Sequence, residues 1–250
     1  LSGEISNGVL TLNAKMPAQQ GYVEVASGAL TARARVRVAP QLPYTTDFEK
    51  TPEGAAPSGW VNTQGKYVVT MLNGNKVLMK TNTLAGVPLM RTNAFITMPT
   101  ATGYTVECDM MAELAHGKLP DMGLVVNRYT FVLDGKKGSE GVTRRVRIGA
   151  WEAIPRVKKE VDFDWKSGVW YRLKFTAEVQ KDNKAVVRGK VWPRDEDEPS
   201  TWTVEYEDPN AQEVGHQQGS AAIYGFVTNA LPGEPGSPIY YDNLKVTPNK

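Results

Sequence analysis

The sequence predicts an all-β protein built as a sandwich or barrel, and three observations carry that prediction. The 23 glycines and 16 prolines fall as punctuation between short β-branched and aromatic runs. No long apolar stripe at the 3.6-residue helical period lies between them. The run from Val169 to Val179 alternates: its odd positions are apolar or small, and Arg172, Lys174, Thr176 and Glu178 alternate with them. That is the period-2 pattern of a strand with one wet face.

Taken in order, Gly8 to Asn13, Gly21 to Ala26 and Leu30 to Val38 are three strand candidates, parted by turns containing Pro17, Gly21 and Gly28. Pro40-Gln41-Leu42-Pro43 then breaks the pattern, because each proline fixes its own φ and pushes the preceding residue toward extended backbone. The expected organisation is a small β segment over 1–39, a stiff linker over 40–46 and a large β domain over 47–250. A segment of about 39 residues lies near the lower limit for independent stability without disulfides or metals, so it needs a neighbour. In the large domain, strands are expected at 67–71, 76–80, 104–110, 122–126, 128–134, 144–151, 157–163, 169–179, 184–192, 201–206, 220–227 and 238–247. Within 104–110, Tyr104, Val106, Cys108 and Met110 share one face, which makes Cys108 a small buried hydrophobe.

Composition narrows the function classes. Twenty-nine Lys and Arg against 27 Asp and Glu leave a formal charge of +2, which offers no electrostatic case for nucleic acid. One cysteine excludes an internal disulfide, and two histidines, His116 and His216, cannot build a zinc finger or a His-rich metal centre. No apolar run approaches the roughly 18 residues of a membrane-spanning helix, so membrane insertion is not expected. The Gly-x-Ser-x-Gly elbow, the His-Glu-x-x-His helix and the Gly-x-x-x-x-Gly-Lys phosphate loop do not occur.

Asp47-Phe48-Glu49 followed by Gly59-Trp60, then Trp170-Tyr171-Arg172-Leu173-Lys174 and Tyr241-Asp242-Asn243-Leu244-Lys245-Val246, resembles a concanavalin A-like jelly roll of the LamG or glucanase type. The resemblance implies two packed antiparallel sheets. Leu42-Pro43-Tyr44, Pro120-Asp121-Met122-Gly123-Leu124, Gly189 to Arg194 and Asp242 to Pro248 further resemble the C-terminal region of bacterial PQQ-binding-like β-propeller proteins. The stretches Gly8 to Thr11, Gly21 to Val25 and Gly28 to Val38 resemble the last strands of a bacterial Ig-like domain. These likenesses imply an extracytoplasmic location, periplasmic, envelope-bound or secreted, with upstream domains of the same parent chain as partners. No propeller blade repeat occurs in the sequence, so PQQ binding is not carried over.

Jelly rolls of this kind include glycoside hydrolases whose acids lie on one strand as Glu-x-Asp-x-Glu or Glu-x-Asp-x-x-Glu. The nearest match is Glu107, Asp109 and Glu113, with Glu113 displaced by two residues or one from those spacings. Retaining hydrolysis needs two carboxyls about 5–5.5 Å apart, and a six-residue interval along a strand is too long unless the strand bulges. The other reading makes Glu107 and Asp109 the wet face of a half-buried strand. Strand parity yields a second constellation, with Arg145, Arg147 and Trp151 on one face, Trp170, Arg172 and Lys174 on another, and Arg188, Lys190 and Trp192 on a third. As neighbours in one sheet they would form a basic, aromatic platform for a polysaccharide or other glycan, with Asn127 and Tyr129 beside it. Alternatively their heads pair with Glu107, Asp109, Glu160 and Glu178 across strands.

If the first and last strands of the jelly roll pair, as the resemblance implies, Glu49 and Asp242 come together as oxygen ligands for a structural calcium ion. The competing reading is ordinary strand-end turns. The functional expectation is a noncatalytic, lectin-like module that binds carbohydrate or mounts a neighbouring domain. A glycoside hydrolase using Glu107, Asp109 and Glu113 and a purely structural module are the alternatives.

Overall fold

The computed structural model describes all residues except 17, 84–89, 136–143, 151–156, 214, 229, 231–232 and 250. In chain order the strands are β1 (Gly3–Ser6), β2 (Val9–Leu12), β3 (Gln19–Ser27), β4 (Leu30–Val38), β5 (Tyr44–Thr46), β6 (Tyr67–Leu72), β7 (Asn75–Lys80), β8 (Arg91–Phe95) and β9 (Tyr104–Ala112). They continue as β10 (Asp121–Val126), β11 (Tyr129–Asp134), β12 (Arg145–Ala150), β13 (Lys158–Asp162), β14 (Tyr171–Val179), β15 (Ala185–Pro193), β16 (Val204–Asp208), β17 (Ala222–Phe226) and β18 (Ile239–Pro248). An eight-stranded sheet runs β16-β15-β14-β9-β18-β7-β6, with β5 also on β18, and a six-stranded sheet runs β13-β12-β11-β10-β17-β8. Every strand pair is antiparallel.

The alternation read from the sequence fixes which side chains meet between the sheets. Leu173 and Phe175 of β14 and Val106 and Cys108 of β9 point inward and are buried, as are Phe131 and Leu133 of β11. Phe131 and Phe175, from opposite sheets, stack with their centroids 5.3 Å apart. Gly189 of β15 makes room for them, since a Cβ there would lie 2.4 Å from the Phe131 ring. Tyrosine hydroxyls then pin one sheet to the other: Tyr67 donates to the Thr92 carbonyl at 2.9 Å and Tyr241 to the Tyr224 carbonyl at 2.9 Å. Each bond satisfies a polar group that burial would otherwise leave costly. Cys108 is fully buried, and that burial pushes its thiol pKa up.

Three strands were not expected from the sequence. β1 is only four residues long. β5 lies inside the stretch read as linker and pairs with β18, Tyr44 opposite Val246. β8, Arg-Thr-Asn-Ala-Phe, buries only the small Thr92 and Ala94, too little apolar bulk to show as a strand face. It forms an edge of the six-stranded sheet.

The N-terminal hairpins differ from the sandwich. In the β3–β4 pair the register places Val25 opposite Ala32 and Val23 opposite Ala34, so one face is apolar and the other carries Glu24, Arg33 and Arg35. Yet Val25 and Leu30 are 64% and 78% exposed. The base of this hairpin meets the sandwich at Gly59, where a Cβ would fall 2.5 Å from the Val38 carbonyl oxygen.

Candidate functional site

The outer face of the eight-stranded sheet holds most of the predicted site residues, and its charges are already matched. Register sets Asp242, Asp109, Arg172 and Trp192 in one row across β18, β9, β14 and β15. Asp109 is fully buried; Arg172 binds both its oxygens, at 2.6 and 3.0 Å, and Asn243 Nδ2 donates to it at 2.9 Å. The Asp109 bond is the largest influence on Arg172 and holds its pKa up. In the next row Lys174 lies 3.7 Å from Glu107 and 3.2 Å from Glu198, and Lys190 donates to Glu198 at 2.9 Å and to the Pro199 carbonyl at 2.7 Å. Arg188 joins Glu178 and Glu205. Glu198 thus clamps two lysines.

This arrangement bears on the alternative hydrolase trio of Glu107, Asp109 and Glu113. Glu107 and Asp109 share a face, but Asp109 has no oxygen left open to a substrate, and Glu113 lies past the end of β9 with its backbone N–H bound to the Pro238 carbonyl. It also corrects the single platform. Arg172, Lys190 and Trp192 lie on the eight-stranded sheet, whereas Arg147 lies on β12 of the six-stranded sheet. Trp192 is only 6% exposed.

Tyr129, expected beside the platform, points into the sandwich, because it shares the inward parity of Phe131 and Leu133. Its hydroxyl donates to Asp208 at 2.6 Å, and its ring meets His216 edge-on at 4.5 Å. Asn127 is buried at the β10–β11 turn with φ 54°, a left-handed conformation that asparagine tolerates. Its backbone N–H donates to Tyr104 Oη and its Nδ2 to the Gln217 carbonyl. Trp151 lies outside the described residues.

The residues expected to hold calcium serve the chain itself. Glu49 Oε1 accepts the Lys76 N–H at 2.8 Å, and Asp242 accepts from Asn243 N at 2.7 Å and Asn75 Nδ2 at 3.0 Å. Among the described residues no group of three or more His, Cys, Asp or Glu is arranged to hold a metal ion.

The outer face of the six-stranded sheet is built differently. Val125, Val132, Ala222 and Tyr224 form an apolar floor there, flanked by Phe95 and Phe226. On one side a polar cavity of about 380 Å³ opens, lined by Arg91, Arg147, Lys158, Glu160, Thr130 and Tyr224 among others. On the other side Phe95 and Val125 lead into a depression of about 550 Å³ bounded by Asn93, Arg128 and Gln218. Asn93 Oδ1 is buried without a hydrogen-bond partner among the described residues. Arg147 binds Asp134 through Nε, at 2.8 and 3.1 Å to its two oxygens, and its Nη1 reaches over Gly149 to within 3.4 Å of where a Cβ would stand. A side chain at Gly149 would therefore crowd the guanidinium.

Asp121 precedes the inward Met122 at the start of β10, one step beyond the Met122–Leu133 pair, and so stands beside Asp134. It accepts the Gly135 N–H at 3.0 Å. Burial first, and then the Asp134 charge, push its pKa up to about 6, against the pull of Arg147 and Arg91. Of this face the sequence singled out Arg145, Arg147 and Glu160 but neither Arg91 nor Asn93. The shared parity of Ala222, Tyr224 and Phe226 was readable, but nothing in the sequence aligned it with β8 and β12.

No described protein family and no curated protein matches the sequence. Solved structures do match in fold. An uncharacterized protein from Mycobacterium paratuberculosis is 15% identical with a TM-score of 0.53, covering 81% of this chain and 99% of its own. A glycosyl hydrolase family 16 protein from Mycobacterium smegmatis is 14% identical with a TM-score of 0.52, covering 81% and 98%. Lectin II from Ulex europaeus is 12% identical with a TM-score of 0.52, covering 84% and 99%. At such identities the likeness is one of fold, and the fold is the concanavalin A-like jelly roll, which hydrolases and lectins share.

Proposed function

We propose that the chain is a noncatalytic, lectin-like module that takes a glycan in the groove on the outer face of the six-stranded sheet. The observation that carries this reading is the pairing there of an apolar floor, from Val132 to Phe95, with outward cations and an Asn93 Oδ1 that has no partner among the described residues. Sugars present C–H faces and hydroxyls together, and a floor of this kind takes the first while amides and guanidinium groups take the second. Noncatalysis is supported by the ion pairs that engage Glu107 and Asp109. In the same reading 1–39 is an accessory β segment that mounts the jelly roll of 47–250 against upstream domains of an extracytoplasmic parent. The apolar face that β3 and β4 leave exposed supports that role.

Affinity electrophoresis through gels containing neutral and anionic polysaccharides tests the binding reading. Retardation by at least one polymer, relieved in Phe95→Ala, is expected. Uniform mobility of the native chain across the panel overturns it, and release of reducing ends from a retarding polymer overturns noncatalysis. Fractionation of cells making the parent chain tests location: recovery in the cytoplasm overturns an extracytoplasmic home.

A further inference from the structure

We infer that the groove selects an acidic sugar, whose carboxylate or sulfate group lies between the guanidinium groups of Arg91 and Arg147. This rests on the glycan-binding reading and names the ligand class of the same site. Three cations, Arg91, Arg147 and Lys158, line the polar cavity against one carboxylate, Glu160. Glu160 is shared, since Arg145 Nη1 and Lys158 Nζ lie 2.7 and 2.9 Å from its two oxygens. Arg91 makes no salt bridge among the described residues; its guanidinium lies 4.3 Å from the Phe226 ring centroid, which holds the group in place. Arg147 spends Nε on Asp134 and extends Nη1 over Gly149 into the cavity. The space above it exists because position 149 carries no side chain.

Both arginines act on Asp121 from opposite sides of β10, Arg91 from β8 beyond β17 and Arg147 from β12 beyond β11, and both line the same cavity. A planar guanidinium offers paired donors to carboxylate and to sulfate alike, and a neutral hydroxyl cannot answer two such cations. On the other sheet each of Arg172, Lys174, Arg188 and Lys190 faces a carboxylate, whereas Arg91 here makes no salt bridge among the described residues.

The test compares polymers that differ only in charge. Binding of the native chain is measured to a uronic acid polymer and its methyl ester, and to a sulfated polymer and its desulfated backbone. The expected result is binding of at least one acidic form about tenfold tighter than its neutral partner. Arg91→Gln, at an exposed position on an edge strand, and Lys158→Gln each reduce that ratio several-fold, while Arg188→Gln, which removes the same charge from the other sheet, leaves it unchanged. The carboxylate and sulfate arms tell the two anions apart. Neutral forms bound as tightly as acidic ones overturn the inference and leave the glycan-binding reading standing, whereas binding of no polymer in any panel overturns both. An equal loss in Arg188→Gln also overturns it, since attraction would then come from overall charge.

Discussion

On the outer face of the eight-stranded sheet Asp109, Glu107, Glu178, Glu198 and Glu205 each meet a cation within 4 Å, and a buried carboxylate is held by a bidentate arginine. The six-stranded sheet presents the same residue types in another state: Arg91 sits on a phenylalanine ring, one nitrogen of Arg147 lies over a glycine, and an acid beside them has its pKa pushed up to about 6. Exposed ion pairs contribute little to stability, whereas desolvated, well-bonded ones become hard to break. The first face therefore ties its cations to carboxylates, whereas on the second Arg91 makes no salt bridge among the described residues. Charged residues on a sheet surface say nothing about binding until their partners are known.

The sharpest way to break this contrast is to open the saturated face. Asp109→Ala leaves Arg172 and Asn243 Nδ2 without their acceptor at a fully buried position. Destabilisation of about 3 kcal/mol is expected, read as a lower midpoint in chemical denaturation, with glycan retardation preserved wherever the variant is folded. Loss of retardation in folded protein would place the ligand on the wrong sheet. Gly189→Ala tests the packing beneath both faces: a methyl group 2.4 Å from the Phe131 ring must push it or the strand aside. About 2 kcal/mol is the expected cost, and Gly189→Ala with Phe131→Leu should recover part of it.

On the open face, Asp121 carries a pH signature. Its pKa is raised from 3.8 in the ordinary state to about 6 in the fold, so the charged form is the disfavoured one. Stability from this group is fully present below pH 3.8 and is lost as pH rises through 6. The groups facing Asp121 are Asp134, Arg147, Arg91 and Tyr224. Asp121→Asn keeps an acceptor for the Gly135 N–H and removes the charge. It should stabilise the protein at pH 7 by about 2 kcal/mol and flatten the stability profile between pH 4 and pH 6. A profile unchanged by the substitution would show that solvent, and not Asp134, sets the environment of this acid.

The faces themselves were legible in the sequence, because period-2 alternation leaves little doubt about parity in runs such as Tyr104 to Met110 and Val169 to Val179. What alternation cannot supply is strand order. Arg147, Arg172 and Lys190 sat on recognisable wet faces, but only pairing sends the first to one sheet and the others to the opposite sheet. Tyr129 misled because β11 is buried on both faces, so aromatic character carried no sign of direction. Arg91 and Asn93 were invisible for the converse reason: an edge strand that buries one threonine and one alanine has no apolar signature. The acid trio's departure from the family spacing was visible in the sequence, whereas the bidentate arginine that engages Asp109 comes from a residue 63 positions away.

The smallest expected effect concerns the strand-end carboxylates. Glu49 accepts the Lys76 N–H through one oxygen and its backbone carbonyl accepts Lys76 Nζ, so it staples the start of β7 to the loop after β5. Glu49→Gln retains an oxygen acceptor at the same place and should change stability by about 0.5 kcal/mol or less. Glu49→Ala removes the acceptor and should cost about 1 kcal/mol. Calcium separates this account from an ion-binding one. With chain donors already on Glu49 and Asp242, added calcium should leave the melting temperature of the native protein where chelator leaves it. A calcium-dependent rise that vanishes in Glu49→Gln would mean that these carboxylates turn from the chain to an ion, since an ion bound only by the folded state raises stability with the logarithm of its concentration above Kd.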